Sequence, residues 1–344
     1  MQAYVEALCR DLTQRAEECA DYTVDSVYFG GGTPTLLPTP LLDRIAACLS
    51  RCYRLSPDLE MTAECNPATA DRAKLSAMRG MGFNRLSVGL QSAHDGELKA
   101  LGRLHGFADF CTILSDARAV GFENVSADVM FGIPTQTVDS YLETLTLLCR
   151  EQPTHISAYG LTVEEGTPYG RMGDRLVLPD EEQTRQMYFE GIGLLRDQGY
   201  RQYEISNYCL EGYPSRHNLK YWNCEEYLGF GPAAYSDFQS CRFGNSRDLR
   251  AYINGEDICT ESEVPSTDER LNEYVMLRLR LSDGICIPTL ERRFDVDFEA
   301  RFGKRLDTFS KMGLVERAEE RIFLTPEGMY VSNAILSEIL DFGR

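Results

Sequence analysis

The sequence has no apolar run near the roughly 20 residues that a helix needs to cross a bilayer, so no membrane-spanning helix is expected. It also has no basic start followed by an apolar stretch between Met1 and Cys19, which excludes an ordinary secretory signal. Basic residues are in deficit, 35 against 53 acidic, giving a formal net charge of -18 with no lysine or arginine cluster; a nucleic-acid partner is therefore not expected. Internal repeats beyond a β/α alternation and low-complexity segments are absent too. The 12 cysteines are scattered, as for reduced thiols in a cytoplasm, and a cytoplasmic protein is expected. With 43% hydrophobic residues over 344 positions, the chain can bury one large domain and a smaller one.

What is present begins abruptly. Tyr4, Leu8 and Leu12 fall at helical spacing with Val5 and Cys9 beside them, without a clear N-cap or preceding strand. A start inside an element suggests that upstream residues have been removed. Val27-Tyr28-Phe29 then runs into Gly30-Gly31-Gly32-Thr33-Pro34, a strand ending in bare backbone that a ligand can approach. Taken alone, the glycines read as a tight strand-to-helix turn, because Leu41, Leu42, Ile45, Ala46 and Leu49 mark a helix over 38–54.

To about residue 165, β-type runs alternate with helical stretches. Strands are expected at Glu60 to Asn66, Asn84 to Ser92, Asn124 to Phe131 and His155 to Val163, with helices near 69–80, 95–120 and 137–151. Five strands with helical crossovers predict a parallel sheet, open or curved into part of a barrel. Within them one face is apolar (Leu86, Val88, Leu90; Val125, Ala127, Val129) and the other polar (Arg85, Ser87, Gln91; Ser126, Asp128; Thr62, Glu64, Asn66). A solvated face gives the same pattern, yet parallel sheets are usually covered outside, which favours an interior polar cavity offering Glu64, Gln91 and Asp128. Arg103 suits a ligand carboxylate; on chemistry alone a surface pair with Glu97 is the better account.

In order and spacing, Gly30–Pro34, Glu64-Cys65-Asn66-Pro67, Arg85–Ser92, Gly102-Arg103-Leu104-His105, Asp128–Pro134 and His155–Tyr159 resemble the radical S-adenosylmethionine (SAM) proteins related to oxygen-independent coproporphyrinogen III oxidase. Arg216-His217-Asn218-Leu219-Lys220-Tyr221-Trp222 is similar to the His-Asn-x-x-Tyr-Trp signature of the branch regarded as heme chaperones. The resemblance implies SAM contacts from Gly31, Gly32, Thr33, Glu64, Gln91, Arg103, Asp128 and, on a looser alignment, Thr162. It also implies heme handling by His217, Asn218, Tyr221 and Trp222, where an imidazole and flat rings suit iron and porphyrin. An anchoring role for these rings and a backbone cap from His217 are equally compatible with the residues alone.

One departure is serious. The family holds a [4Fe-4S] cluster through Cys-x-x-x-Cys-x-x-Cys, and no such loop is present; Cys48 and Cys52 have the first spacing, but position 55 is Leu55 and both fall in a helix. No catalytic residue or cluster ligand is assigned, and radical chemistry is not expected of this chain as it stands. An N-terminally incomplete record explains the gap better than natural loss, because the SAM positions are all kept.

The expected architecture is therefore α/β: a partial (β/α)6 TIM-like barrel whose first strand is missing, over residues 1–165, then a capping region, 166–265. A helix-rich, winged-helix-like domain follows over 266–344, too acidic for nucleic acid. A helix at 180–198, a strand at Arg201 to Tyr208 and a loop-rich stretch over 209–265 complete the picture. The expected function is binding of heme and its transfer to an unidentified acceptor protein. The alternatives are oxidative decarboxylation of coproporphyrinogen III and a cluster-less porphyrin-binding module.

Overall fold

The computed structural model describes residues 1–340; the last four positions of the expected C-terminal domain, 341–344, lie outside the described residues. Two compact units are present, one of residues 26–42 and 60–214, the other of residues 1–25, 43–59 and 215 onward.

The chain opens with helix α1 (Gln2–Gln14), whose Val5, Ala7, Leu8 and Leu12 are buried along one side. It continues through β1 (Val24–Phe29), α2 (Thr39–Cys52), β2 (Leu55–Cys65), α3 (Arg72–Gly80), β3 (Arg85–Gln91), α4 (Asp95–Ala100) and α5 (Phe107–Ala119). Next come β4 (Asn124–Phe131), α6 (Val138–Arg150), β5 (His155–Gly160), α7 (Glu181–Asp197), β6 (Arg201–Gln202), β7 (Asn207–Cys209) and α8 (Arg216–Trp222).

The first seven strands form one sheet in the order β1-β2-β3-β4-β5-β7-β6. From β2 to β5 the pairing is parallel, and each crossover contains a helix, as the β/α alternation predicts. Side-chain caps start helices where the polar turn residues fall: Thr137 Oγ1 accepts from the Ser140 amide at 3.1 Å at the start of α6, and Asp180 Oδ1 from that of Gln183 at 2.8 Å at the start of α7. Leu86, Val88 and Leu90 are wholly buried, whereas the opposite face carries Glu64, Ser87, Ser126 and His155 in one register row and Asp128 and Ser157 in the next.

Several boundaries differ from expectation for identifiable reasons. Strand β2 begins five residues before Glu60, since Pro57 obscures its first half. The stretch 95–120 is two helices, because the chain turns at Gly102 with φ +69°. Strand β5 stops at Gly160, short of Val163, and the run Arg201 to Tyr208 is two short strands; β7 pairs antiparallel with both β5 and β6. The stretch 209–265 is more ordered than its composition implies: besides α8 it holds a helix at Leu249–Asn254 and an antiparallel sheet of Tyr235–Phe238, Cys241–Asn245 and Cys259–Glu263.

From Thr267 onward, helices Thr267–Arg278, Ile287–Phe294, Lys304–Lys311, Pro326–Tyr330 and Ser332–Ile339 accompany a three-stranded antiparallel sheet of Ile285–Cys286, Val315–Ala318 and Arg321–Leu324, the helix-plus-hairpin arrangement of a winged helix. Its core is continuous, from Leu271 and Val275 through Phe298 and Phe302 to Ile335 and Ile339. Phe298 is fully buried with its ring centroid 5.5 Å from that of Phe302. Phe298→Ala is expected to cost about 3–5 kcal/mol in denaturant unfolding. Leu104→Ala, at a side chain 98% exposed, is expected to stay within about 0.5 kcal/mol of the parent. A Phe298→Ala protein with parental stability would contradict this core.

Candidate functional site

At the end of β1 the backbone turns through Gly30-Gly31-Gly32. Gly31 has φ +79°, a conformation that glycine adopts without strain. A Cβ at Gly30 would lie 2.5 Å from a Tyr28 ring carbon and 2.7 Å from Glu64 Oε1, so a side chain there would force Tyr28 and Glu64 to shift. Beside Gly31 and Gly32 nothing lies within 4 Å of where a Cβ would stand, which leaves room against the main chain. The Gly31 and Gly32 amides face the Glu64 carboxyl group and help to stabilise its charged form, and Tyr28 OH donates to Glu64 Oε1 at 3.1 Å. The triplet is thus more than a tight turn, because it is tied across to β2.

Beyond Glu64 the sheet's polar face continues through Asp128, whose two carboxylate oxygens accept from Ser87 Oγ at 3.0 and 3.2 Å, with the Ser126 and Ser157 hydroxyls beside it; Ser157 Oγ itself donates to Asn207 Oδ1. Burial pushes both carboxyls above their ordinary range; hydrogen bonds and, for Asp128, the Arg85 guanidinium oppose it, while Asp128 also raises Glu64. Gln91 is buried, has φ +71°, and accepts from Tyr159 OH at 3.1 Å. Lower on this face His155 is fully buried between Ser126 Oγ (2.7 Å) and Tyr203 OH (2.8 Å); burial and the Arg85 charge hold it neutral, well below the usual imidazole range.

Glu64, Gln91 and Asp128 therefore share one interior with the glycine loop. Tyr28 and Tyr159 belong with them and were not singled out from the sequence. Their strand parity was the available signal: Tyr28 stands two residues before Gly30, and Tyr159 alternates with Ser157. Arg103 is exposed, and its charge acts on Tyr159, whose phenol burial pushes up to about 12. It does not pair with Glu97, which is 4% exposed and is engaged by Ser92, Gln136 and Ser140. Thr33 is half-buried in the turn after the glycines. Thr162 lies two residues past β5 and is exposed; among the described residues no hydrogen bond joins it to the others.

The His-Asn-x-x-Tyr-Trp residues lie in the other unit, on helix α8, where Ser215 caps the Asn218 amide at 3.4 Å. Helical spacing puts His217 and Tyr221 on one side: Nε2 meets the Tyr221 hydroxyl at 2.9 Å, the rings standing at 87°. Tyr221 in turn meets the Tyr227 ring edge-on, centroids 4.7 Å apart, and burial pushes its phenol up to about 12. Asn218 and Trp222 are half-buried and Tyr221 is 39% exposed, so the aromatic cluster reaches the surface.

The donor set around the glycine loop fits SAM. Open space beside the glycine main chain, two carboxyls and a carboxamide are groups suited to its amino group and ribose hydroxyls, and a guanidinium such as that of Arg103 is suited to its carboxylate. No such fit exists for a cluster, because no group of three His, Cys, Asp or Glu among the described residues is arranged to hold a metal ion. Cys48 and Cys52 lie 4.0 Å apart (Sγ–Sγ) on α2, and burial pushes the Cys48 thiol up to about 11, away from the thiolate that metal binding requires.

The raised carboxyls give a pH test. A group with a raised value takes up its proton at a pH where an ordinary carboxyl is still charged, so SAM affinity is expected to fall on acidification earlier than values of 3.8 and 4.5 would give. Glu64→Gln and Asp128→Asn proteins are expected to bind SAM at least about tenfold more weakly at neutral pH, the loss of one charge-assisted hydrogen bond. Calorimetric titration from pH 8 to 5 checks both, and a flat profile in the parent would contradict the assignment.

Comparison with known proteins places this geometry. Residues 3–148 match the Radical SAM superfamily and residues 266–331 the HemN C-terminal domain. The chain is 31% identical to the heme chaperone HemW of Bacillus subtilis, over 98% of this chain and 91% of that one. It is 32% identical to HemW of Synechocystis, covering 98% and 87%, and 30% identical to HemW of Escherichia coli, covering 98% and 89%. The solved structure of E. coli coproporphyrinogen III oxidase (HemN), described as a radical SAM enzyme, superposes with a TM-score of 0.86 at 22% identity, over 98% of this chain and 83% of that one; this is a likeness of fold. The chain belongs to the radical SAM superfamily, in its heme-chaperone branch.

Proposed function

We propose that this protein binds heme and passes it to an acceptor protein, working in the cytoplasm. The observation that carries the reading is the cluster of His217, Tyr221 and Trp222 on α8, in a chain whose relatives over nearly its whole length are named heme chaperones. The helix offers a nitrogen ligand next to flat aromatic surface. His217 Nε2 is held by the Tyr221 hydroxyl, and this hydrogen bond orients the ring and is exchanged when iron takes the nitrogen. A ligand nitrogen held by an exchangeable hydrogen bond suits a carrier, which must release its cargo as well as hold it. Asn218 lies on the same helix and is half-buried.

The second part of the proposal concerns the polar interior. Gly31, Gly32 and Thr33 take the methionine end of SAM; Glu64, Gln91 and Asp128 take its ammonium and ribose hydroxyls; Arg103 takes its carboxylate, with Thr162 toward the adenine. When bound with a reduced cluster, SAM supplies radical chemistry in this superfamily. The residues of this chain bind and orient it, and Tyr28 and Tyr159 stay protonated at neutral pH because burial raises both phenols.

Trp222 is the only tryptophan in the chain, so emission reports on α8 directly. Hemin is expected to quench it while shifting the Soret band, and a His217→Ala/Trp222→Ala protein is expected to bind hemin at least about tenfold more weakly, a loss of 1.4 kcal/mol or more. Equal hemin affinity in the double variant would overturn the heme assignment. Conversion of coproporphyrinogen III by the chain would replace the chaperone reading with an oxidase.

A further inference from the structure

A buried carboxylate that the proposed SAM site does not use stands immediately behind it. Glu97, on α4, is 4% exposed, and both of its oxygens are occupied. Oε2 accepts from Ser92 Oγ at 2.7 Å and from Gln136 Nε2 at 3.2 Å, while Oε1 accepts from Ser140 Oγ at 2.5 Å. These partners come from three places: Ser92 follows the last residue of β3, Gln136 lies in the turn after β4, and Ser140 is in the first turn of α6. Each is tied onward as well. Ser92 Oγ accepts the His94 amide at 2.9 Å, and Gln136 Nε2 also donates to the Met130 carbonyl of β4 at 3.1 Å. The Ala93 amide donates to Thr144 Oγ1 of α6 at 3.1 Å. One carboxylate thus joins the ends of the two strands that deliver Gln91 and Asp128.

Gln91 needs such a clamp. It is a non-glycine residue at φ +71°, and the β3–β4 register shifts between Gly89 and Gln91, so the strand bulges where its carboxamide must face the interior. A backbone in this region persists only when its surroundings determine it. The adjoining residue, Ser92, is fixed by Glu97 on one side and by its own bond to the His94 amide on the other.

We infer that Glu97 is a positioning residue for the cofactor site: through Ser92 and Gln136 it holds the Gln91 bulge and the end of β4, and so sets the geometry in which SAM is bound. The inference rests on the SAM pocket proposed above. Glu97 touches no cofactor. It acts through Gln91, and Glu97→Gln exchanges one of its two acceptor oxygens for an NH2 group, which leaves a donor facing Ser140 or Gln136 where an acceptor stood.

The test is calorimetric titration of the intact chain with SAM, alongside hemin titration of the same samples. Glu97→Gln is expected to weaken SAM binding about tenfold while leaving hemin affinity at the parental value, since α8 belongs to the other unit. Ser92→Ala, a smaller change that keeps the protein folded if Glu97→Gln does not, is expected to weaken SAM binding in the same direction. The double variant is expected to be no weaker than Glu97→Gln alone, because the two residues act as one unit. Parental SAM affinity in Glu97→Gln and Ser92→Ala, with Gln91→Ala impaired, overturns the positioning role. Parental affinity in Gln91→Ala overturns the pocket itself. Equal loss of SAM and hemin binding in Glu97→Gln marks general destabilisation and also overturns the role.

Discussion

A carboxyl group on the inner face of a parallel sheet must be met by donors, and the way Glu64 is met shapes the rest of this unit. Its partners are the amides of Gly31 and Gly32 and the Tyr28 hydroxyl, all from β1 or the turn that follows it. An unmet group of this kind costs about 1–3 kcal/mol or more. The glycine turn and β2 therefore specify one another: the amides are bare because the residues are glycines, and Glu64 is tolerated because the amides are bare. Gly30 completes the arrangement by leaving the space that a side chain would take from Tyr28 and Glu64.

Along the same face the protein repeats this solution with other donors. A serine serves Asp128 and a tyrosine serves Gln91, and behind that face three polar side chains serve Glu97 on α4. Interior charge held this way has a defined geometry, which a preorganised binding site requires. The neutral His155, locked between Ser126 and Tyr203, closes the lower end of this face without adding a second positive charge beside Arg85. On α8 the tie is looser. A hydrogen bond and an edge-on ring contact link His217 to Tyr221, and Tyr221 meets Tyr227 near the surface, the cluster to which heme exchange is assigned in the proposal.

Much of this was legible in the sequence. The alternation Arg85-Ser87-Gln91 against Leu86-Val88-Leu90 located the polar face, because side-chain parity in a strand is enforced by covalent geometry. The glycine triplet marked its rim, and ordered motifs carried the family. The role of Glu97 was not legible: it depends on contacts with Gln136 and Ser140, some forty residues away, and charge alone made it read as a surface partner for Arg103. The order within 209–265 was hidden for a similar reason, since its strands are short and pair with one another rather than extending the main sheet. The bulge at Gln91 left no compositional mark, because a positive φ at a non-glycine residue is imposed by its neighbours.

The central claim is that the glycine loop and the buried carboxyls of this one interior form a SAM pocket. A crystal structure of the chain grown with SAM tests it most directly. The account predicts the methionine end of the ligand against Gly31, Gly32 and Thr33, with Glu64, Gln91 and Asp128 in hydrogen-bonding contact. SAM bound elsewhere, or excluded while Glu64 keeps the glycine amides for itself, would contradict it.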